Sequence, residues 1–244
     1  MKKMMKIIMV VLVGIMMVGC GSSDDGNVKK IYVGTNAEFA PFEFLKDGKT
    51  VGFDMELIEE ISKEIGIDIE IKDMSFDGLL PALQAKKIDM IIAGMTSTEE
   101  RKKSVNFTNS YYIANQVIIT AKELGNIATF DELKGKKVGV ILGFTGDVVV
   151  SKIDGVEVKK YNAGYVAIMD LKAGKIDAVV LDSEPAKNFI KNNDGIKIAS
   201  AKGDKEEYAM AVYKDNIELL EKINKALMVL KENGTYDGLL KKWF

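Results

Sequence analysis

From Ile31 onward, short runs of β-branched and aliphatic residues alternate with stretches in which apolar positions recur every three or four residues. Runs of the first kind predict strands and stretches of the second kind predict helices, so the chain reads as α/β with largely parallel sheets. The first cycle is a strand at Lys30 to Gly34, a loop from Thr35 to Phe44, and a helix near Phe53 to Ile65 with Phe53, Leu57, Ile58, Ile61 and Ile65 on one face. Ile67, Ile69 and Ile71 then alternate as a strand, followed by a helix around Leu79 to Lys86, a strand Ile88 to Ala93, a short helix from Thr98 to Arg101 and a strand Asn115 to Ala121. A second cycle opens with a capping-box pattern, Thr129-Phe130-Asp131-Glu132. It runs through strands at Lys137 to Leu142, Val156 to Tyr161 and Ile176 to Leu181, with helices from the Gly143 to Gly146 loop, at Tyr165 to Ala173 and at Glu184 to Lys191. One strand at Tyr208 to Tyr213, a long helix at Asn216 to Lys231 and a last helix at Tyr236 to Trp243 close the pattern.

The two cycles match at residue level. Lys87-Ile88-Asp89-Met90-Ile91-Ile92-Ala93-Gly94 has the pattern of Lys175-Ile176-Asp177-Ala178-Val179-Val180-Leu181-Asp182, each delivering a special residue five positions after the aspartate. Two similar lobes follow, with Gly94 and Asp182 facing across a cleft, because ligands of such sheets sit beyond the carboxyl ends of the strands. The alternative is one larger sheet that uses the same helix-to-strand turn twice.

Before this body, Lys2, Lys3 and Lys6 precede an apolar run from Ile7 to Val18. At about a dozen residues it is shorter than the roughly 20 needed to cross a bilayer, and it reads as a secretory leader over 1–19. The chain's single cysteine, Cys20, falls where cleavage belongs, in Met17-Val18-Gly19-Cys20. That stretch resembles a lipoprotein lipobox, with Met17 departing from its usual aliphatic residue; an ordinary leader with a stray cysteine is the alternative. Residues 20–27 then form a lipidated cysteine and a polar tether.

Composition narrows the chemistry. Of 34 basic residues three are in the leader, which leaves 31 against 36 acidic ones, a net charge of −5 with no long run of either sign. Nucleic-acid binding loses its electrostatic basis. No histidine is present, so the usual general base, the usual zinc ligands and the histidine-dependent nucleophile systems are excluded.

The strand ends supply the candidates. Asn36-Ala37-Glu38-Phe39-Ala40-Pro41-Phe42-Glu43-Phe44 places aromatics in a connection, and Phe76 adds another before a helix. Phe39 and Phe76 are the best placed to form two walls, although each alone is more readily a core residue than a ligand contact. Ala93-Gly94-Met95-Thr96 leads to Arg101, the sole arginine in a chain otherwise using lysine. A guanidinium grips a carboxylate through two parallel hydrogen bonds where a lysine offers a point charge. Asp182, after four apolar residues, needs a cation such as an ammonium. Gly143-Phe144-Thr145-Gly146 opens a helix whose free amides favour an anion. These groups together are the negative of a free α-amino acid.

Over residues 28 to 244 the chain resembles the polar amino-acid solute-binding proteins that feed ATP-binding-cassette importers, extracellular family 3, with the type II periplasmic-binding fold. Phe39-Ala40-Pro41-Phe42-Glu43, Val51-Gly52-Phe53-Asp54, Leu79-Leu80-Pro81-Ala82-Leu83, Asp89 to Thr96, Thr98 to Arg101 and Lys241-Lys242-Trp243-Phe244 carry the resemblance. It implies that Arg101 holds an α-carboxylate with the amides of Thr96 and Thr145. Asp182 would take the α-ammonium with the Gly94 carbonyl and the Thr96 hydroxyl. Phe39 and Phe76 would sandwich the side chain, whose far end Asn36, Glu38, Ala93, Ile141 and Gly143 would line, with Met95 beside them and Phe144 narrowing the slot. Asn36 stands where relatives of basic or amide specificity often have aspartate, and Glu38 would restore the charge. The order of ligands is arginine or lysine first, then glutamine.

Further implications are a permease partner, no cofactor, no metal, a monomer, and anchorage by lipid at the bacterial cell envelope. Lobe 1 is expected at 28–113 and 209–244 and lobe 2 at 114–208, joined by crossovers near Ile113 to Asn115 and Glu206 to Ala209. The rival readings are a cleft enzyme of the same fold, a dehydratase or cell-wall lyase using Glu38, Glu43 or Asp182, and a protein presenting ligand to a sensor.

Overall fold

The computed structural model describes residues 30–244; the leader, Cys20 and the tether lie outside the described residues. The first sheet contains β1 (Lys30–Thr35), β5 (Asp68–Asp73), β6 (Met90–Ile91), β7 (Val105–Phe107) and β13 (Ala211–Tyr213), in the order β5-β1-β6-β13-β7. A second contains β8 (Tyr112–Ala121), β9 (Lys137–Ile141), β10 (Glu157–Tyr161), β11 (Ala178–Asp182) and β12 (Ile196–Tyr208), in the order β10-β9-β11-β8-β12. In each, the first three strands run parallel, the fourth is antiparallel to both its neighbours, and the fifth runs the same way as the first three. No helix among the described residues is long and apolar enough to cross a membrane.

The internal repeat is visible in the geometry. Asp89 accepts from the Tyr32 amide at 2.7 Å and returns its own amide to the Tyr32 carbonyl, and Asp177 does the same with Lys137 at the head of β9. Ile88 fills the space above Gly34 as Ile176 fills that above Gly139, so the isoleucine beside each aspartate seats a helix-to-strand turn on the next strand.

Between the strands, α1 (Phe53–Ile65) buries Phe53, Leu57, Ile58 and Ile61 against the first sheet's core, and α2 (Phe76–Gln84) buries Phe76, Leu79 and Leu83. Burying one such aliphatic side chain contributes about 1.5–3 kcal/mol. The four-residue helix α3 (Glu99–Lys102) is capped by the Thr98 hydroxyl, which accepts from the Arg101 amide at 3.2 Å. In the second half α4 (Thr145–Val150), α5 (Gly164–Lys172) and α6 (Ser183–Asn192) follow β9, β10 and β11, and α7 (Ile217–Glu232) and α8 (Thr235–Trp243) return to pack on α1.

Several expectations change. The loop expected over Thr35 to Phe44 contains β2 (Glu38–Phe39) and most of β3's opening (Glu43–Lys46), which with β4 (Lys49–Val51) make a small three-stranded sheet. The capping box at Thr129 opens only a 3₁₀ turn at Phe130–Leu133, because Gly135 in the left-handed region (φ 77°) turns the chain away. The strand expected over Tyr208 to Tyr213 is divided, because the chain changes sheets there: Tyr208 ends β12, Ala209 donates to the Met95 carbonyl, and β13 begins at Ala211. The helix expected at Leu79 begins three residues earlier, at Phe76.

The chain passes between the two sheets twice, from β7 to β8 and from β12 to β13. These crossings lie side by side, antiparallel, with Tyr112 opposite Tyr208 and Ala114 opposite Glu206.

Candidate functional site

The carboxyl ends of β1, β6, β9 and β11 converge near these crossings and carry most of the expected residues. Arg101 reaches out of α3 and donates from Nη1 to the Thr96 carbonyl at 2.8 Å and from Nη2 to the Gly143 carbonyl at 2.9 Å, so one guanidinium ties the two halves together. Its plane lies over the Phe76 ring, 5.3 Å from the centroid. Burial pulls the Arg101 pKa down, while Glu206 and Asp182 oppose that by favouring the charge.

Asp182 ends β11, is 3% exposed, and accepts from the Gln116 side-chain amide. Burial raises its pKa well above the carboxylate range and the Glu206 charge adds to this, with Arg101 opposing. The Tyr208 hydroxyl lies beside the carboxyl group and also opposes the rise. Gln116 also donates to the Thr145 hydroxyl at 3.0 Å, so it fixes Thr145 and Asp182 relative to each other.

Gly94 has φ 51°, and a Cβ there would meet the Phe39 ring at 2.6 Å, so the backbone approaches the aromatic ring as only glycine allows. Its amide donates to Asp54 Oδ2 at 2.9 Å. Thr96 and Thr145 both donate their hydroxyls to Glu206 Oε2, each at 2.7 Å. A carboxylate on a crossing strand thus joins one hydroxyl from each half.

The aromatic slot differs from the simple pair of walls. Phe144, immediately before α4, places its ring 5.2 Å from Phe39, edge to face, and 4.3 Å from Phe76, bridging the two. Beyond it a small pocket, with room for about one water molecule, is lined by Asn36, Glu38, Phe39, Ile141 and Phe144, joined by Asn162, Leu181 and Phe189. Asn36 spends an amide hydrogen on the Met74 carbonyl at 3.0 Å. Glu38 is exposed at the rim, its pKa raised by partial burial and by Asp73. Ala93 and Met95 are buried in the same hydrophobic cluster as Phe39, Phe76, Ile141 and Phe144.

Glu206, Gln116, Tyr208 and Asn162 were not anticipated. The first three come from β8 and β12, and only the antiparallel register of those strands brings them to residues far away in the chain. A polar residue facing into a crossing strand is the one signal available in advance, and Gln116 within Asn115 to Ala121 carried it.

Two sheets of matched topology, a cleft between them at the strand ends, and charged groups of both signs in that cleft define a two-lobed ligand-binding protein. The family model for bacterial extracellular solute-binding proteins, family 3, matches residues 31–244, and the chain belongs to that family. The arginine-binding extracellular protein ArtP of Bacillus subtilis (strain 168) is 36% identical over 253 residues, covering 100% of this chain and 98% of the relative. An ancestral arginine-binding protein solved with arginine superposes with a TM-score of 0.85 at 48% identity, covering 88% of this chain and 98% of the other. An ancestral arginine-binding protein solved with glutamine gives 0.85 at 49% identity, covering 88% of this chain and 97% of the other. The architecture is accordingly the type II periplasmic-binding fold, and the family's members are substrate-binding transport proteins.

Proposed function

We propose that the chain captures a free L-amino acid with a cationic side chain, arginine or lysine, between two lobes and hands it to the permease of an ATP-binding-cassette importer. Glutamine stands next in order. The observation that carries this reading is the pairing of Arg101 with Asp182 at one cleft: a forked donor for a carboxylate and a buried acceptor for an ammonium. In this reading Arg101 and the amides of Thr96 and Thr145 take the α-carboxylate. Asp182, the Gly94 carbonyl and the Thr96 hydroxyl take the α-ammonium. Phe39, Phe76 and Phe144 flank the side chain, and Glu38 with Asp73 supplies negative potential at its far end. Relatives that bind arginine, and ancestral arginine-binding proteins solved with arginine and with glutamine, support this order of ligands.

Lobe 1 comprises 28–113 and 209–244 and lobe 2 comprises 114–208, with the paired crossings of β8 and β12 as the hinge. Ligand held by one lobe recruits the other through contacts that both must reach. In this reading the protein works without catalysis. It is exported, anchored through a lipidated Cys20 on the tether 20–27, and acts as a monomer.

A thermal-melt screen of residues 28–244, refolded to remove carried-over ligand, tests the reading against the twenty amino acids plus ornithine, citrulline and cystine. Ligand at 100 times Kd stabilises by about 2.7 kcal/mol, a rise of about 5 to 10 °C for a body of this size. Arginine or lysine is expected to give the largest shift. A flat panel from folded protein rules out free amino acids.

A further inference from the structure

Behind the Gly94 loop lie two carboxyl groups that the ligand-binding scheme does not use. Glu43 on β3 and Asp54 in the first turn of α1 are both fully buried, and they face each other. Asp54 Oδ2 accepts from the Gly94 amide at 2.9 Å and from the Tyr111 hydroxyl at 2.7 Å. Asp54 Oδ1 and both oxygens of Glu43 have no donor. Among the described residues no lysine or arginine pairs with either group. Two facing carboxylates without a cation in an apolar interior are not sustained, whereas a single proton between them satisfies the pair.

We propose that Glu43 and Asp54 share one proton, and that this pair is the strut that holds the Gly94 backbone where its carbonyl meets the ligand. The second clause rests on the role given to the Gly94 carbonyl above. Everything titratable that faces the pair is itself an acid. Tyr111 comes from the β7–β8 connection and Tyr236 from α8, with Asp73 of β5 and Asp182 of β11 further away. Burial, and then the neighbouring Asp54, raises Glu43 well above the carboxylate range; burial raises Asp54 to about 6, against the opposing hydrogen bonds from Tyr111, Gly94 and Glu43. The folded protein therefore retains a proton that the unfolded chain has released. Its contribution to stability is present below the ordinary carboxylate range and is lost as pH climbs through the folded-state values.

Glu43→Gln supplies a permanent N–H to Asp54 Oδ1 and mimics the shared proton. Glu43→Met keeps the volume and removes the donor. In ligand-free melts between pH 5 and 8, the pair is expected to make the wild-type folding constant fall by up to about an extra tenfold per pH unit where it titrates, and in Glu43→Gln this extra fall is expected to be lost, leaving the slope due to Asp182. Asp182 titrates in both proteins and cancels in the comparison. The Gly94 amide resonance is expected to move with pH in the wild type and to stay fixed in Glu43→Gln. Arginine affinity, by calorimetry at pH 6, is expected to drop about tenfold in Glu43→Met, the effect of one lost hydrogen bond, and to be rescued by Glu43→Gln.

Parallel wild-type and Glu43→Gln melting curves overturn the shared proton, and a Gly94 amide indifferent to pH overturns the strut. If Glu43→Met does not fold, those two comparisons decide without it. If wild-type protein binds no amino acid, the ligand reading fails while the melts and the Gly94 resonance still decide this proposal.

Discussion

Replacing Arg101 with lysine is the sharpest perturbation of the site. The guanidinium has five N–H donors, and two of them go to the carbonyls of Thr96 and Gly143. The remaining donors can meet a carboxylate as a fork. A lysine ammonium keeps the charge but offers three donors from one point, so it must abandon either a carbonyl or one oxygen of the ligand. Hydrogen bonds to a charged group contribute about 1.5–3 kcal/mol each, so losing one from the fork weakens binding by about ten- to 150-fold. The Thr96 carbonyl also accepts from the Thr98 amide at 2.9 Å and stays satisfied, whereas the Gly143 carbonyl relies on Arg101. Part of the loss therefore falls on the contact between the two halves. Calorimetry with arginine, lysine, histidine and glutamine is the assay. Because the α-carboxylate is common to all four, every ligand that the wild type binds should lose affinity by a similar factor. An Arg101→Lys protein that binds its best ligand within about threefold of wild type, less than one charged hydrogen bond is worth, refutes the carboxylate assignment. A loss confined to one ligand points instead to an effect on the side-chain pocket.

Asp182→Asn is expected to cost about 2–5 kcal/mol of binding, as when one member of a buried charge pair is removed. Its ligand-free melting temperature should exceed the wild-type value at pH 7: the Asp182 pKa is raised by burial and by Glu206, so ionisation destabilises the fold, and the gap should close as pH falls toward 4. Gly94→Ala must adopt φ 51° with its methyl against Phe39, and the left-handed backbone alone costs about 1–2 kcal/mol, seen as a lower melting temperature. Phe144→Ala removes the ring that bridges Phe39 and Phe76. Calorimetry should find the ratio of arginine to glutamine affinity altered, since the slot that discriminates side chains is widened; an unchanged ratio would remove Phe144 from the specificity wall.

How much of this was legible in the sequence depended on burial and on strand length. Helix α1 was readable because its buried positions recur at helical spacing, and the repeat was readable because the same Ile-Asp turn is used in both sheets. Strands β2, β3 and β4 were not, because segments of two to four residues are too short to show a period. Strand β12 failed for another reason: Lys202 to Glu207 is glycine, lysine and acid, half exposed, with register shifts that break alternation, so only its pairing with β8 makes it a strand. In the site, Arg101 and Asp182 stood out as residue types at odds with their surroundings. Glu206 did not, since one more acid in an acidic polar run carries no signal until folding places it between two hydroxyls.

That position of Glu206 bears on how the cleft works. Its carboxylate holds Thr96 from one side and Thr145 from the other, while Arg101 spans the same gap through the carbonyls of Thr96 and Gly143. Thr96 is thus engaged twice, by its hydroxyl and by its carbonyl, and it is also bridged to Tyr208 beside the crossing. A ligand that gives its ammonium to a free lone pair of the Thr96 hydroxyl and its carboxylate to the remaining Arg101 donors joins this same network of hydrogen bonds. Binding and closure then draw on the same few hydrogen bonds, so a substitution at Glu206 should change the affinity for every amino acid by one factor and leave their order intact, which calorimetry on Glu206→Gln with arginine, lysine and glutamine can check. A change in the order would mean that Glu206 reads the side chain, and the coupling argued from Thr96 would be wrong.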